Sequence, residues 1–387
     1  MQEDQYLIPD YYPSFACKQG VCRTPCCEGW PVTISMQDYF RLLSVPCSQE
    51  LRRRLDGALH LCEHPSPEAY AQICPRWDGK CPLHQEDGRC MLHAEVGEEL
   101  LSAVCRLYPR GARGGGSREC SCANSCEAVL EMFLGRTEPL RFFTAPLAIE
   151  CPDLPRTHVF PTGGRERRIR LWLIRLVQDR TAPLPRRLLR LGDALGIVDE
   201  AIAHKDFRRL DALLAGQGAL PFPPAPDAGH DELLAGLTAA EALMKIIDGR
   251  SRSVHDHGEA ALAFFGEGED AFRRYTGAIA ALDQLMPDWE VWFEHMLVNH
   301  MFFAQFPFQD RPVPLADEYL ALCAVYVLLR FLCVSRAAAD PRIEALTDVC
   351  AAAFRLVEHT SFDRFAGPVL RELGCSDATR LRQLLSL

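Results

Sequence analysis

Apolar residues recur at helical spacing through most of this chain, and the exceptions gather near its start. Ser35 is placed to cap a helix carrying Tyr39, Leu42 and Leu43 on one face. Ser48 caps a second, with Leu51, Leu55 and Leu59 at i, i+4 and i+8. From Tyr70 to Leu92 the pattern changes: two Asp-Gly steps, Asp78-Gly79 and Asp87-Gly88, separate short segments. Asp-Gly between short runs is a hairpin signal, so this stretch predicts a small β-meander with Cys81 and Cys90 flanking its second turn. A helix is expected from about Glu95 to Tyr108, with Val96, Leu100, Val104 and Leu107 inward and Pro109 just beyond. Ser125 reads as an N-cap that puts Cys126 in the first turn of the next helix, where a thiolate is favoured.

Beyond Cys151-Pro152 the chain is cysteine-poor and helix-rich. Segments at Ile169–Val177, from Arg186 through Leu195, Asp231–Asp248, Gly258–Met286, Asp288–Phe303 and about Asp317–Val334 carry the period. The apolar run Leu320–Leu329 stops at Arg330, too short to span a bilayer, and reads as a buried helix. Nine arginines between Arg165 and Arg190 alternate with Leu, Ile and Trp, the pattern of a solvated helix face. The expected fold is therefore mainly α. A cysteine-rich N-terminal region with a small β-meander (residues 1–150) precedes an α-helical domain (151–387), with a Pro-rich loop or linker in 215–230.

At 387 residues, 48% hydrophobic and 24% charged, the chain can bury a sizeable core. Its net charge of −10 argues against general nucleic-acid binding, which draws most of its affinity from a basic surface. The first ten residues have neither a basic nor an apolar signal region, so a cytoplasmic address is expected, with no membrane partner. Only four lysines stand against 38 arginines, the mark of a GC-rich genome rather than of function.

Cysteine changes the picture. Fourteen of the 18 cysteines fall in the first 151 residues, opening with Cys17-x4-Cys22-x3-Cys26-Cys27. A reducing compartment disfavours disulfides, and the adjacent pair Cys26-Cys27 rarely reaches disulfide geometry. Metal ligation is the expectation. The spacing, continued by isolated Cys81, Cys90, Cys105 and Cys126, matches no pair of zinc knuckles and suits an iron–sulfur cluster better, with zinc left open. Eight thiols exceed one four-ligand site, so either two sites exist or some thiols sit behind the ligands.

These blocks carry a resemblance. CKQGVCRTPCCEGW (Cys17–Trp30), CPLHQEDGRCMLH (Cys81–His93) and CRLYPR (Cys105–Arg110) are similar to zinc- or iron-chelating proteins of the CxxCxxCC type, and more closely to the flagellin lysine N-methylase (FliB-like) family. The stretches Leu173–Gly192 and Trp292–Phe308 extend the likeness over most of the chain. The resemblance implies methyl transfer from S-adenosylmethionine to flagellin lysines and an iron–sulfur cluster, 4Fe-4S ahead of zinc. Its cysteines correspond to Cys17, Cys22, Cys26, Cys27, Cys81, Cys90, Cys105 and Cys126, while Cys47, Cys62, Cys74, Cys120, Cys122 and Cys151 are extra. Two positions depart from the family's pattern: Glu127 directly follows Cys126 without an intervening proline, and Ser35 stands where an acidic residue is usual. Tyr108, Glu294 and Asn299 are the polar groups available in the matching blocks, with no catalytic role fixed. No S-adenosylmethionine fingerprint is visible: the glycine-rich Gly111–Gly116 follows no clear strand. Two other readings compete, a zinc- or iron-stabilised protein-interaction module and an electron-transfer or metal-handling protein.

Overall fold

The computed structural model describes residues 4–114, 118–149, 158–217, 220–224, 229–248, 252–266, 268–309 and 312–387. Cys151, Gly115, Gly116 and parts of the 215–230 loop lie outside the described residues. The first part of the chain runs β1 (Asp4–Pro9), β2 (Val32–Ile34), α1 (Met36–Ser44), α2 (Gln49–Ala58), β3 (Leu59–Leu61), β4 (Ala71–Ile73), α3 (Met91–Val96), α4 (Ala103–Leu107), β5 (Arg110–Arg113), β6 (Glu119–Cys122), α5 (Glu127–Phe133) and β7 (Phe142–Leu147). Helices follow: α6 (Glu166–Val177), α7 (Leu184–Ala203), α8 (Phe207–Leu214), α9 (His230–Asp248), α10 (Arg252–Phe265), α11 (Gly268–Leu285), α12 (Trp289–Phe303), α13 (Leu315–Ala339), α14 (Ile343–His359), α15 (Phe362–Glu372) and α16 (Ala378–Leu385). The fold is mainly helical, with its small sheets in the N-terminal part, as the sequence predicts.

Two compact units form, and neither is continuous in sequence. One comprises Ser14–Gly111 with Cys126–Ala128; the other comprises Met1–Pro13, Ala112–Ser125 and Val129–Leu387. The cysteine-rich unit closes on Ile34, Leu42, Leu51, Leu55, Ala71, Ile73, Leu83 and Leu92. Its helix starts obey the caps: Ser35 Oγ accepts the Asp38 N–H, and Ser48 Oγ accepts the Leu51 N–H. Its antiparallel sheet has the order β2-β4-β3, pairing Ile34 with Ala71 and Leu61 with Ala71. Only β4 comes from the stretch between Tyr70 and Leu92. Both Asp-Gly steps turn the chain with Gly79 and Gly88 at positive φ, but they carry single bridges, Glu28 to Lys80 and His84 to Cys90. Pro75 and Pro82 deny these segments ladder donors.

The single helix expected at 95–108 is instead broken. Gly97 at φ +86° ends α3, a 3-10 turn follows, and Ser102 caps α4 afresh by accepting the Cys105 N–H. Val104, expected inward, is exposed. Gly258–Met286 likewise divides into α10 and α11 around Gly266, at φ +72°.

In the larger unit, β1 lies inside a four-stranded sheet of order β5-β6-β1-β7. It runs parallel to β6, with Leu7 opposite Glu119, and antiparallel to β7, from Asp4–Leu147 to Pro9–Phe142. The long apolar helix α13 packs against α15, α11 and α14. By length and composition it could cross a membrane, but 94% of its apolar window is buried inside the protein. Two glycines permit close helix packing around it. A Cβ on Gly192 would strike the Tyr319 ring, and one on Gly367 would strike the Asp317 backbone.

The arginines of α6 and α7 correct the expectation of a solvated face. Arg170, Arg187 and Arg190 are buried, and each meets a carboxylate: Glu119 at 2.7 Å, Glu294 at 2.5 Å and Asp179 at 2.8 Å. Helical spacing alone cannot tell a charge that faces water from one that faces a buried acid.

Candidate functional site

All eight thiols singled out by the sequence lie in the cysteine-rich unit. The turn through Gly20, between Cys17 and Cys22, abuts the turn through Gly88, between Cys81 and Cys90. A Cβ on either glycine would overlap the other's backbone, and both have positive φ, so glycine is required twice. The backbone also ties the loops, since Cys81 N–H donates to the Cys27 carbonyl at 2.8 Å and Gly29 N–H to Gly79 at 2.9 Å.

Four thiols act on one another electrostatically. Burial pushes Cys81 up to about 12, with Cys90, Cys105 and Cys26 raising it further. Burial also raises Cys90, with Cys26 adding to it. Cys105 is exposed along its residue surface, yet protein crowding around its sulfur pushes the thiol up to about 12, helped by Cys26 and Cys90. A second group adjoins Cys26: Cys22 rises to about 11 through burial, Glu127, Cys17 and Cys26. Opposing this rise, the Leu83 N–H serves Cys81, the His93 and Leu92 N–H groups serve Cys90, and Ser102 serves Cys105. Donors aimed at sulfur favour the thiolate.

Cys17, Cys22, Cys26, Cys81, Cys90 and Cys105 are thus brought into mutual influence. Cys27 contributes its backbone carbonyl, and Cys126 precedes Glu127 at the start of α5. Ser125, expected to cap that helix, instead bonds His359, and α5 begins one residue after Cys126.

Glu127, one of the positions departing from the family's pattern, anchors the opening loop. Its carboxylate accepts from Lys18 Nζ at 2.8 Å, the Thr24 N–H at 3.0 Å and the Arg23 N–H at 3.2 Å. Burial alone would raise this carboxyl, but the bonds from Lys18 and Thr24, with Arg23 nearby, outweigh it and hold it below the usual range.

As donors these thiols fit a thiolate-bound metal centre. Cys81, Cys90 and Cys105 each have a donor of their own, and a bound cation would offset the burial and the neighbouring sulfurs that raise these three. Among the described residues, however, no three His, Cys, Asp or Glu side chains stand at spacing that holds a metal ion. The cysteines extra to the resemblance differ: Cys120 and Cys122 are buried on β6.

The larger unit holds two polar groupings that sequence reasoning reached only through single residues. In the first, Asn299 Nδ2 donates to the Cys122 carbonyl at 2.8 Å and to Asn124 Oδ1 at 2.7 Å, and its Oδ1 accepts from Tyr11 Oη at 2.7 Å. Next to it, Ser125 Oγ lies 2.7 Å from His359 Nε2, the Ser125 N–H donates to Glu358 at 3.3 Å, and Glu358 meets His300 at 3.3 Å. Burial lowers the His359 pKa, against the opposing pull of Glu358.

The second grouping centres on Glu294, fully buried, whose oxygens accept from Arg180 Nε and Nη2 at 2.8 Å each and from Arg187 Nη1 at 2.5 Å. Glu294 is therefore a structural counter-charge, unavailable as a base. Beside it, burial lowers His295 to about 4. Its Nε2 lies 3.0 Å from the Glu138 carbonyl and 3.3 Å from Arg180 Nη2.

His295 makes stability depend on pH. Its folded pKa is depressed, so the unfolded chain binds the proton first, and stability present above about 6.5 is lost as pH falls towards 4. The loss is expected to reach about 3 kcal/mol. Denaturant titrations from pH 7.5 to 4.5 should show it, and His295→Gln should flatten the slope over that window. An unchanged slope would reject the assignment.

Residues 170–364 match the family described as the FliB lysine N-methylase C-terminal domain. Comparison with the curated proteins and with the solved structures returned no match.

Proposed function

This chain belongs to the FliB lysine N-methylase family, and from that premise we propose that it methylates lysine side chains of flagellin in the cytoplasm, with S-adenosylmethionine as methyl donor and a cysteine-bound iron–sulfur cluster. The family match over residues 170–364 carries the reading. The donor set of Cys26, Cys81, Cys90 and Cys105 supports the cluster. Those four would hold it, with Cys17 and Cys22 beside it and Glu127 fixing their loop. S-adenosylmethionine supplies an electrophilic methyl group.

The protein's own task is set by the amine. A lysine with a pKa near 10.4 is free base in only about one molecule in a thousand at neutral pH, so the site must strip a proton and exclude water. Glu294 cannot serve, being held between two guanidiniums, and burial raises the Tyr11 pKa, so that hydroxyl stays protonated.

Co-expression with flagellin is expected to add methyl-mass increments to flagellin lysines, read by intact-protein and peptide mass spectrometry. Flagellin of unchanged mass, beside a metal-loaded protein, would favour the interaction-module reading instead.

A further inference from the structure

A cleft of 270 Å³ opens in the larger unit between the end of α5, the α11–α12 turn and the start of α14. Its walls are mostly apolar: Phe133, Leu285, Met286, Val291, Trp292 and Ile343. Sites that engulf a whole drug-sized ligand span roughly 300–1,000 Å³, so this one suits a single long side chain better than an entire nucleoside cofactor.

Its charges decide what that side chain carries. Two guanidiniums line the cleft, and both are committed elsewhere. Arg180 is paired with Glu294 and donates to the Thr137 carbonyl, while Arg136 donates to Asp10 at 2.7 Å and to the Glu138 carbonyl at 2.9 Å. The remaining charge is Asp288, exposed at the first turn of α12, which makes no capping bond to its own helix. Among the described residues its carboxylate has no ion-pair partner. An apolar slot walled by an indole and a phenyl ring, with one uncompensated carboxylate, matches an apolar stem ending in a cation.

We propose that this cleft binds the substrate lysine, with its methylenes against Trp292, Phe133 and Ile343 and its ammonium directed to Asp288. The assignment rests on the lysine N-methylase reading for the identity of its ligand and extends it to a place in the fold.

Saturation-transfer NMR on the intact protein, with Nα-acetyl-lysine amide as probe, tests it without any turnover. The lysine amide should bind several-fold more tightly than the isosteric norleucine amide. Asp288→Asn should weaken the lysine amide by about fivefold and leave norleucine amide unchanged. Ile343→Trp, at a partly exposed position, should abolish binding of both, with circular dichroism showing the fold retained. Equal binding of the two amides, no effect of Asp288→Asn, or a preference for a carboxylate-tipped analogue would overturn the proposal. The two readings fail separately. Lysine-amide binding without flagellin methylation removes the enzyme and keeps the cleft, whereas wild-type methylation by both variants removes the cleft and keeps the enzyme.

Discussion

Replacing Glu294 with alanine is expected to cost about 3–5 kcal/mol. The reason is what remains. Arg187 is 2% exposed and would keep its charge with only the Val177 carbonyl at 2.7 Å and a more distant Glu290 at 3.5 Å. Arg180, at 28% exposed, can turn to water, so Arg180→Ala should cost far less. Urea unfolding would read both as a fall in midpoint at constant slope. A double variant, Arg187→Met with Glu294→Leu, should recover most of the loss, since a buried pair is worth little against apolar packing of the same volume. A loss under about 1 kcal/mol for Glu294→Ala would mean that water reaches Arg187.

The second large effect concerns metal. Protein purified without oxygen is expected to be brown and to contain iron and sulfide. Serine at Cys26, Cys81, Cys90 or Cys105 should take that content from near full occupancy to near zero. Serine at Cys323 or Cys350 should leave it intact, because both are fully buried among apolar helices and Cys350 already contacts Cys333, sulfur to sulfur at 3.4 Å. Colourless protein containing zinc would replace the cluster with a structural ion. Equal loss from both sets of variants would show that the N-terminal thiols are not special.

Much of this was legible beforehand, for identifiable reasons. Ser35 and Ser48 announce α1 and α2 because a capping hydroxyl before an apolar stripe has few other meanings. The core helix α13 declared itself by an apolar run that no charge interrupts. What escaped did so where local pattern and tertiary context disagree. In β1 the alternation survives only at Tyr6 and Ile8, flanked by Asp4, Gln5 and Pro9, too short to separate from a polar tail. Asn299 was visible only as one polar residue on an apolar helix. Its partners, Tyr11, Cys122 and Asn124, lie more than 170 residues away in sequence. The cleft was invisible for the same reason, since its lining runs from Phe133 to Ile343.

The placing of β1 between β6 and β7 has a consequence for synthesis. A ribosome releases this strand ahead of both its partners: the parallel neighbour emerges more than a hundred residues later, and the antiparallel one later still. In the interval the thiol-bearing segment is fully translated as a loop between two unpaired ends. Its core of Ile34, Leu42, Leu51 and Leu55 is complete in sequence before either partner of β1 is made, so that unit can close while the strand preceding it is still unpaired.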